Sequence, residues 1–370
     1  MKVAIIHDWL VVNGGAEKVL KEIISVYPAA DIYTLVDYLP ENKRSWLNGC
    51  RVFTSYIQCL PFSKRHFRKY LPFFPMAIEQ FDLSQYDLVV SSSYAVAKGV
   101  ITGPEQTHVS YCHSPARYAW DLQSEYLRES GLKPGFISKF VRFTLHNFRI
   151  WDVRTANGVD HFIANSNYVK KRILKCYRRE AEVIYPPVDV ERFELCEKKE
   201  NFYFTASRIV SYKRIDLIAQ AFAQMPDKKL KIIGIGPQFD RVKEIADKAD
   251  NIEVLGYQSD EVMVEYLQKA KAFIFAAKED FGILPVEAQA CGTPVIAYGK
   301  GGSLETVVDN VSGVYFNEQS VSSLKDAVGR FEMRESAFRP STVRDNAMRF
   351  STVGFRESII KAVNKTVAEN

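Results

Sequence analysis

Short apolar runs alternate with longer segments of helical spacing through the first half of the chain. Residues 3–6, 88–91, 108–112 and 161–164 read as buried strands, and residues 16–26 read as a helix. Strands that alternate with helices are typical of a parallel sheet whose faces are covered by helices. We therefore predict an α/β domain for this half of the chain.

The same alternation is clearer in the second half, where it predicts five strands. These are residues 202–206, 229–233, 252–255, 272–276 and 294–297. Between the halves, Pro186 and Pro187 enforce an extended connection, so we place the domain boundary there, with domains at 1–187 and 188–350. Residues 351–370 have helical spacing, and we predict that this helix crosses back to pack on the first domain.

Length and composition agree with two globular domains. The chain has 370 residues, of which 47% are hydrophobic and 25% charged, and 49 basic against 44 acidic residues give a net charge of +5. The six cysteines form no CxxC pair, which is typical of a reducing compartment without structural zinc. The first apolar run is too short for a signal peptide, and no run reaches the length of about 18 apolar residues that predicts a membrane span. We expect a cytoplasmic protein.

The segment that runs from Glu279 to Glu287 carries the strongest functional signal. An apolar run precedes it, a loop containing Gly282 follows Glu279, and Pro285 is predicted at the first position of a helix, where its missing N–H costs nothing. Loop and helix amides beside two carboxylates suit a polar ligand rich in hydroxyl groups. The segment points to a sugar nucleotide.

Two cations follow the first predicted strand of the second half. Arg208 and Lys213 come after residues 202–206, and the carboxyl ends of parallel strands are where α/β folds bind ligands. Two cations there would neutralise a pyrophosphate and stabilise its charge as it leaves. The alternative is a solvated basic loop, but the carboxylate segment in the same domain favours a functional role.

The first half offers two weaker signals. Gly14 and Gly15 stand between the first strand and the first helix, where glycine lets the backbone approach a ligand and helix amides face an anion. A tight turn would give the same pattern. His113 follows the strand at 108–112, where it would hydrogen-bond a sugar hydroxyl near the reacting centre, although a lone histidine is more often structural.

The stretch from Arg51 to Pro75 contains five basic residues, seven aromatic residues and no acidic residue. Interleaved cations and aromatic rings suit the surface of an anionic bilayer. The alternative is that the rings are core and the charges are merely solvated. Residues 133–154 show the same interleaving of basic and aromatic residues more weakly. No nucleic-acid-binding module accompanies the charge, and no ligand set at useful spacing predicts a metal site.

Together these motifs resemble the family 4 glycosyltransferases, which are retaining enzymes of the GT-B fold. The resemblance covers nearly the whole chain and rests on the Glu279-x7-Glu287 pair, Arg208 with Lys213, Gly14-Gly15, and the loop Gly301-Gly302-Ser303-Leu304-Glu305. The segments His7-Asp8-Trp9-Leu10 and 111–118 resemble a bacterial subgroup of mannosyltransferases that build surface polysaccharides. The resemblance implies two Rossmann-like domains with parallel sheets that face each other across a cleft.

The resemblance also implies a role for each candidate residue. Glu279 and the amides around Phe281, Gly282, Ile283 and Leu284 would hold the hydroxyls of the donor sugar. Glu287 would bind the ribose, and Arg208 and Lys213 the diphosphate. Gly14 and Gly15 would close on the phosphates from the opposite domain, His113 would contact the sugar near its anomeric carbon, and Tyr257 would lie near the base.

These observations predict a retaining, metal-independent glycosyltransferase that uses a nucleotide sugar and no other cofactor. The donor would be GDP-mannose and the acceptor a glycan or lipid-linked glycan, reached at the inner face of the cell membrane. The alternatives are a UDP-sugar donor, a nucleotide-sugar epimerase of the same fold, and a non-enzymatic nucleotide-sugar-binding protein. The sequence leaves the base, the sugar, the acceptor, the linkage and the oligomeric state open.

Overall fold

The computed structural model describes residues 1–129, 131 and 135–369, and the chain divides into two compact units. The first unit comprises Met1–Pro187 together with Phe355–Asn370, and the second comprises Val188–Gly354. The chain thus leaves the first unit once, forms the second unit in one continuous stretch, and then returns.

A seven-stranded parallel sheet forms the centre of the first unit. Its strands, in chain order, are β1 (Val3–His7), β2 (Asp31–Thr34), β3 (Val52–Thr54), β4 (Leu88–Ser93), β5 (Thr107–Cys112), β6 (His161–Ala164) and β7 (Glu182–Val183). Their spatial order is β3-β2-β1-β4-β5-β6-β7, and every pair is parallel. Every residue of β4 and β5 is buried, as expected for central strands covered on both faces.

Helices cover both faces of this sheet. They are α1 (Gly15–Val26), α2 (Ser63–His66), α3 (Phe74–Glu79), α4 (Gln123–Glu129), α5 (Phe136–Thr155) and α6 (Asn167–Tyr177). Short 3-10 turns occur at Glu41–Lys43, Ser45–Leu47, Tyr56–Cys59, Phe67–Phe73, Ala97–Gly99 and Ala156–Gly158. At the start of helix α1 the Glu17 carboxylate accepts the Gly14 N–H at 2.9 Å.

The second unit is built in the same way around six parallel strands. These are β8 (Glu200–Ala206), β9 (Leu230–Ile233), β10 (Ile252–Gly256), β11 (Ala270–Phe275), β12 (Val295–Tyr298) and β13 (Gly313–Phe316), in the spatial order β10-β9-β8-β11-β12-β13. The helices are α7 (Ile215–Ala223), α8 (Phe239–Ala246), α9 (Asp260–Lys269), α10 (Ile283–Ala290), α11 (Ser303–Thr306), α12 (Val321–Met333) and α13 (Pro340–Met348), with 3-10 turns at Val190–Arg192, Ser211–Lys213 and Glu335–Ala337.

Both sheets reverse their strand order at one point. The chain winds outward from β1 through β2 to β3, then returns to place β4 on the other side of β1; β8 and β11 are related in the same way. In open α/β sheets ligands bind at the carboxyl ends of the strands beside such a reversal. The fold therefore directs attention to the loops after β1 and β4 in the first unit, and after β8 and β11 in the second.

The final helix, α14 (Thr352–Glu369), completes the core of the first unit. Its buried side chains are Phe355, Ile359, Ala362 and Val363, which cluster with residues of β1, β4 and α1. The Phe355 ring packs edge-on against Tyr111 of β5, with ring centroids 5.7 Å apart. Arg356 donates to the Glu22 carboxylate on α1 at 2.6 Å.

All nine strands predicted from the apolar runs are present, with ends that differ by at most two residues. Strands β2, β3, β7 and β13, which are two to four residues long, have no predicted counterpart. The predicted position of Pro285 is wrong. Helix α10 begins at Ile283, so Pro285 is its third residue, where the missing N–H still removes no intrahelical bond.

Candidate functional site

Lys213 and Glu279 meet at the strand reversal of the second unit. Lys213 ends the 3-10 turn that follows β8, and Glu279 lies in the loop after the neighbouring strand β11. The Lys213 ammonium is in ion-pair contact with a Glu279 carboxylate oxygen, and the two side chains are 17% and 18% exposed. The structure thus brings together a cation and a carboxylate that the sequence placed in separate motifs.

Arg208 stands at the same edge of the sheet, two residues beyond β8. Its side chain is exposed, and its guanidinium has no hydrogen-bond or ion-pair partner within the described residues. The loop that carries it is fixed by the next loop along the sheet, because the Ile209 N–H donates to the Ile235 carbonyl at 2.9 Å and Gln238 N–H to the Ile209 carbonyl at 3.1 Å. The arrangement holds the backbone of Arg208 firmly and leaves its charge available.

The loop that braces Arg208 was not predicted from the sequence. Gly234 and Gly236 have φ angles of 147° and 159°. A Cβ on Gly234 would lie 1.9 Å from the Ser207 carbonyl oxygen, and a Cβ on Gly236 would lie 2.3 Å from the Ile209 carbonyl oxygen. Only glycine permits such an approach of two backbones. The signal was present as a Gly-x-Gly pair directly after a predicted strand.

Helix α10 places its first amides beside Glu279. Gly282 precedes the helix with φ 89°, and the N–H groups of Ile283 and Leu284 have no acceptor within the helix. The Phe281 side chain packs edge-on against Phe350 in the core, with centroids 5.4 Å apart, so its ring does not face a ligand. Glu287, one turn along the helix, is 3% exposed.

The loop at Gly301 and Gly302 packs directly on the Glu279 loop. The Gly302 N–H donates to the Glu279 carbonyl at 2.8 Å. A Cβ on Gly301 would lie 2.4 Å from that same carbonyl oxygen, and a Cβ on Gly302 would lie 2.3 Å from the Phe281 Cα. The glycines therefore set the position of the carboxylate segment.

Replacing Gly302 by alanine is expected to displace the loop that carries Glu279 and Phe281. Because the new Cβ would meet backbone atoms, which cannot rotate aside, we expect the free energy of unfolding to fall by about 1–3 kcal/mol. Thermal unfolding measures this. The control is Gly329→Ala in α12, where a Cβ meets nothing within 4 Å and alanine should stabilise the helix by up to about 1 kcal/mol. Equal effects in the two variants would contradict the prediction.

The first unit places Gly14, Gly15 and His113 at the carboxyl edge of its own sheet. Gly14 precedes α1, and Gly15 is the first residue of that helix. His113 follows β5, where its N–H donates to the Ser93 carbonyl at 2.8 Å and its Nε2 lies 2.8 Å from Ser92 Oγ. These residues share an edge within one unit, and their roles toward a donor stay predictions.

Burial keeps two histidines of this unit neutral. It lowers the pKa of His113 to about 3 and that of His108, which hydrogen-bonds Ser91 and the Gly158 carbonyl, to about 4. Both values lie below the unfolded value of about 6.5. Their contribution to folding stability is therefore complete above pH 6.5 and is lost as the pH falls toward 4 and 3.

Asp8, immediately after β1, was not singled out for a role by the sequence analysis. Its fully buried carboxylate accepts four backbone N–H groups: those of Tyr94 and Ala95 at 2.6 and 3.0 Å, and those of Val96 and Ala97 at 2.6 and 2.8 Å. Burial raises the pKa of Asp8, and the amide hydrogen bonds oppose that rise. Asp8 thus clamps the loop after β4 onto the end of β1, at the strand reversal of the first unit.

Tyr257 is not brought to the Lys213–Glu279 pair. It follows β10, the edge strand two positions from β8, and its ring is 75% exposed. No contact of Tyr257 with Arg208, Lys213 or Glu279 occurs in the described structure. Its role near a base stays a prediction.

Within residues 1–129, 131 and 135–369, no three side chains of histidine, cysteine, aspartate or glutamate are grouped to hold a metal ion. The prediction of metal-independent chemistry stays untested by this observation.

Comparison with known families matches both halves of the chain. Residues 13–192 match the model of Glycosyltransferase Family 4, and residues 189–343 match that of Glycosyl transferases group 1. HepE from Anabaena, solved in complex with UDP, superposes over 99% of this chain and 100% of its own with a TM-score of 0.70, at 19% identity. The chain consists of two glycosyltransferase domains. Two domains, each built on a parallel sheet, are the fold class of the GT-B glycosyltransferases.

Curated relatives resemble these glycosyltransferase domains at lower coverage. An uncharacterized glycosyltransferase of Methanocaldococcus jannaschii is 27% identical over 57% of this chain and 60% of its own length. The Alpha-1,3/1,6-mannosyltransferase ALG2 of Kluyveromyces lactis is 26% identical over 63% of this chain and 53% of its own. The chain therefore spans between about half and three fifths of the length of these relatives.

Proposed function

We propose that the protein is a retaining, metal-independent glycosyltransferase that moves a hexose from a nucleotide sugar to a glycan or lipid-linked glycan. The observation that carries the proposal is the Lys213–Glu279 contact beside an exposed Arg208 at the strand reversal of the second unit. Cations suit a diphosphate and a carboxylate suits sugar hydroxyls. A nucleotide sugar carries a diphosphate and sugar hydroxyls next to each other.

In the proposed mechanism the protein acts by positioning and by electrostatics. Arg208 and Lys213 bind the diphosphate and stabilise the charge that develops as the glycosidic bond breaks. Glu279 and the first amides of α10 hold the sugar hydroxyls, and Glu287 holds the ribose. The acceptor attacks the face that the diphosphate leaves, and its proton passes to the leaving phosphate oxygen. No side-chain nucleophile is required.

For the donor, we propose GDP-mannose. The named mannosyltransferase among the relatives supports mannose, whereas the UDP complex of HepE keeps a UDP-sugar as the alternative. A thermal-shift screen of GDP-, UDP- and ADP-sugars tests this directly. The largest rise in melting temperature with GDP-mannose would support the proposal, and the largest rise with a UDP-sugar would replace it with the alternative.

Turnover separates transfer from the other reactions considered. Purified protein incubated with labelled donor, a lipid-linked acceptor and EDTA should move the sugar to the acceptor with its anomeric configuration retained. An epimerase would instead convert the donor without acceptor and leave the product sugar on the nucleotide. Binding without any turnover, or transfer abolished by EDTA and restored by metal, would contradict the proposal.

We further propose that the protein acts at an anionic membrane surface through part of the segment from Arg51 to Pro75. Arg51 itself lies at the amino end of the sheet and donates two hydrogen bonds to Asp31, at 2.8 and 2.6 Å. Phe67 and Phe74 are buried in the core. The exposed residues of the segment include Phe62, which is 80% exposed, together with Lys64, Arg65, Lys69 and Phe73.

Helix α5 offers a second exposed apolar stripe in the same unit. Phe136, Phe140 and Phe143, spaced by four and three residues on one face of the helix, are 84%, 54% and 62% exposed. Lys139 and Arg142 are exposed on the same helix. No helix within the described residues has the length and apolar character needed to cross a bilayer. The proposed contact is therefore interfacial, with rings in the interface and cations at the head groups.

Replacing Lys64, Arg65 and Lys69 together by serine is expected to weaken binding to anionic vesicles about a hundredfold. Each cation near such a surface contributes about 1 kcal/mol, and 1.4 kcal/mol corresponds to a factor of ten. Co-sedimentation with phosphatidylglycerol and phosphatidylcholine vesicles measures the effect. The control replaces three exposed lysines of the second unit, Lys229, Lys243 and Lys248. Equal loss in both variants would show that only net charge matters.

A further inference from the structure

Four side chains of the first unit form a continuous polar chain that ends at His113. Glu17 Oε1 lies 3.6 Å from His7 Nε2, His7 Nδ1 lies 3.2 Å from Ser92 Oγ, and Ser92 Oγ lies 2.8 Å from His113 Nε2. The residues come from α1, the end of β1, β4 and the loop after β5. They are distant in sequence and meet only because β1 and β4 are neighbours at the strand reversal.

The inner part of this chain is sealed from water. His7 and Ser92 are 0% exposed and Glu17 is 3% exposed. Within the described residues, His7 Nε2 has no hydrogen-bond partner, and a Glu17 oxygen lies 3.6 Å from it. Asp8 also interacts electrostatically with His7, but its two oxygens accept four backbone N–H groups. Glu17 also accepts the Gly14 N–H through its other oxygen. The buried Glu17 carboxylate therefore contacts both the turn at Gly14 and His7, which begins the series of polar side chains that leads to His113.

The hydroxyl of Ser92 couples the proton positions of the two histidines. It has a single proton and lies between two imidazole nitrogens, so it donates to one nitrogen and accepts from the other. A carboxylate at His7 Nε2 favours a proton on that nitrogen, which leaves His7 Nδ1 as an acceptor for the Ser92 hydroxyl. Ser92 Oγ then accepts from His113 Nε2–H. If the Ser92 hydroxyl instead accepted from His7 and donated to His113, the unprotonated His7 Nε2 would face the Glu17 carboxylate with its lone pair.

We propose that Glu17, acting through His7 and Ser92, holds His113 in the Nε2–H tautomer and presents its Nδ1 as a hydrogen-bond acceptor to a hydroxyl of the bound sugar. Within the described residues, no partner for Nδ1 is present. Glu17, His7 and Ser92 are positioning residues, since they act on the ligand through His113. That the ligand is a sugar rests on the proposed function. The Nε2–H tautomer of His113 does not depend on that function.

Nitrogen-15 NMR of the full-length, ligand-free protein labelled at histidine tests the tautomer. The six histidines are resolved by comparison with His113→Gln. We expect His113 to show a protonated Nε2 and an unprotonated Nδ1. In Ser92→Ala, and independently in Glu17→Gln, this preference should give way to a mixture of both tautomers. A protonated Nδ1 in the native protein, or an unchanged signal in both variants, would overturn the proposal.

The matched control is Ser110→Ala, which removes another fully buried serine hydroxyl, on the neighbouring strand β5. Ser110 Oγ has no hydrogen-bond partner in the part of the chain that the structure describes. Its loss should leave the His113 signal unchanged and keep kcat/KM within about twofold. Thermal unfolding of Ser92→Ala, Glu17→Gln and Ser110→Ala identifies any variant that fails to fold.

Kinetics tests the ligand contact separately. Ser92→Ala should lower kcat/KM for sugar transfer about tenfold, as expected for one misdirected hydrogen bond. An unchanged kcat/KM together with an altered tautomer would overturn the contact with the sugar hydroxyl. If native protein transferred no sugar at all, the proposed function would fail while the NMR result still decided the tautomer.

Discussion

Replacing Lys213 by alanine is expected to lower kcat/KM for sugar transfer by about 10²- to 10³-fold. An electrostatic donor aimed at the developing charge of a leaving group contributes about 2.7–4 kcal/mol to catalysis. Lys213 stands beside Glu279 at the carboxyl ends of β8 and β11, where a diphosphate would lie next to the sugar hydroxyls. Steady-state transfer assays at saturating acceptor measure the loss.

Lys228 provides a matched control for this variant. It is also 17% exposed, also lies in the second unit, and also pairs with a glutamate, Glu332 at 2.7 Å. It precedes β9, however, and so lies at the amino edge of the sheet. Lys228→Ala should lower stability while leaving the transfer rate nearly unchanged. A similar loss of transfer in both variants would mean that Lys213 acts through stability alone.

Replacing Asp8 by asparagine is expected to lower the free energy of unfolding by about 3–5 kcal/mol. The buried carboxylate accepts four N–H groups, whereas an amide has one acceptor oxygen and turns two donors of its own toward the remaining N–H groups. Breaking a buried polar network in this way leaves uncompensated donors in the core. At about 2–4 °C per kcal/mol for units of this size, the melting temperature should fall by roughly 6–20 °C.

Asp82 offers the corresponding control. Its carboxylate accepts two hydrogen bonds from Ser84, at 3.0 and 2.6 Å, but it lies on the surface. Water replaces a lost partner at such a site, so Asp82→Asn should change the melting temperature by no more than a degree or two. A small effect at Asp8 would show that the loop after β4 holds its shape without the carboxylate.

The sequence predicted the elements whose signal is local. Apolar runs such as residues 88–91 and 272–276 predicted strands in the right places, and the alternation of strands with helices predicted two parallel sheets. The same reasoning placed Arg208, Lys213 and Glu279 at the carboxyl ends of strands. The strand order of the second unit then brought Lys213 and Glu279 into contact.

Features built from distant residues were out of reach. Asp8 and the amides at 94–97 are nearly 90 positions apart, and no pattern in either segment reveals that they meet. The series of polar side chains from Glu17 to His113 likewise depends on the adjacency of β1 and β4. Sequence spacing also fails to show the depth of a residue, so Phe67 and Phe74 seemed as available to a membrane as Phe62, although they are core.

The return of α14 to the first unit sets an order for folding during synthesis. Phe355, Ile359, Ala362 and Val363 fill part of the core around β1 and α1, yet they are translated after the whole of the second unit. The second unit is continuous in sequence, and it can close as soon as Gly354 has left the ribosome. The first unit begins before the second but is completed after it. Until then it exposes the apolar surface of β1, β4 and α1 that α14 later covers.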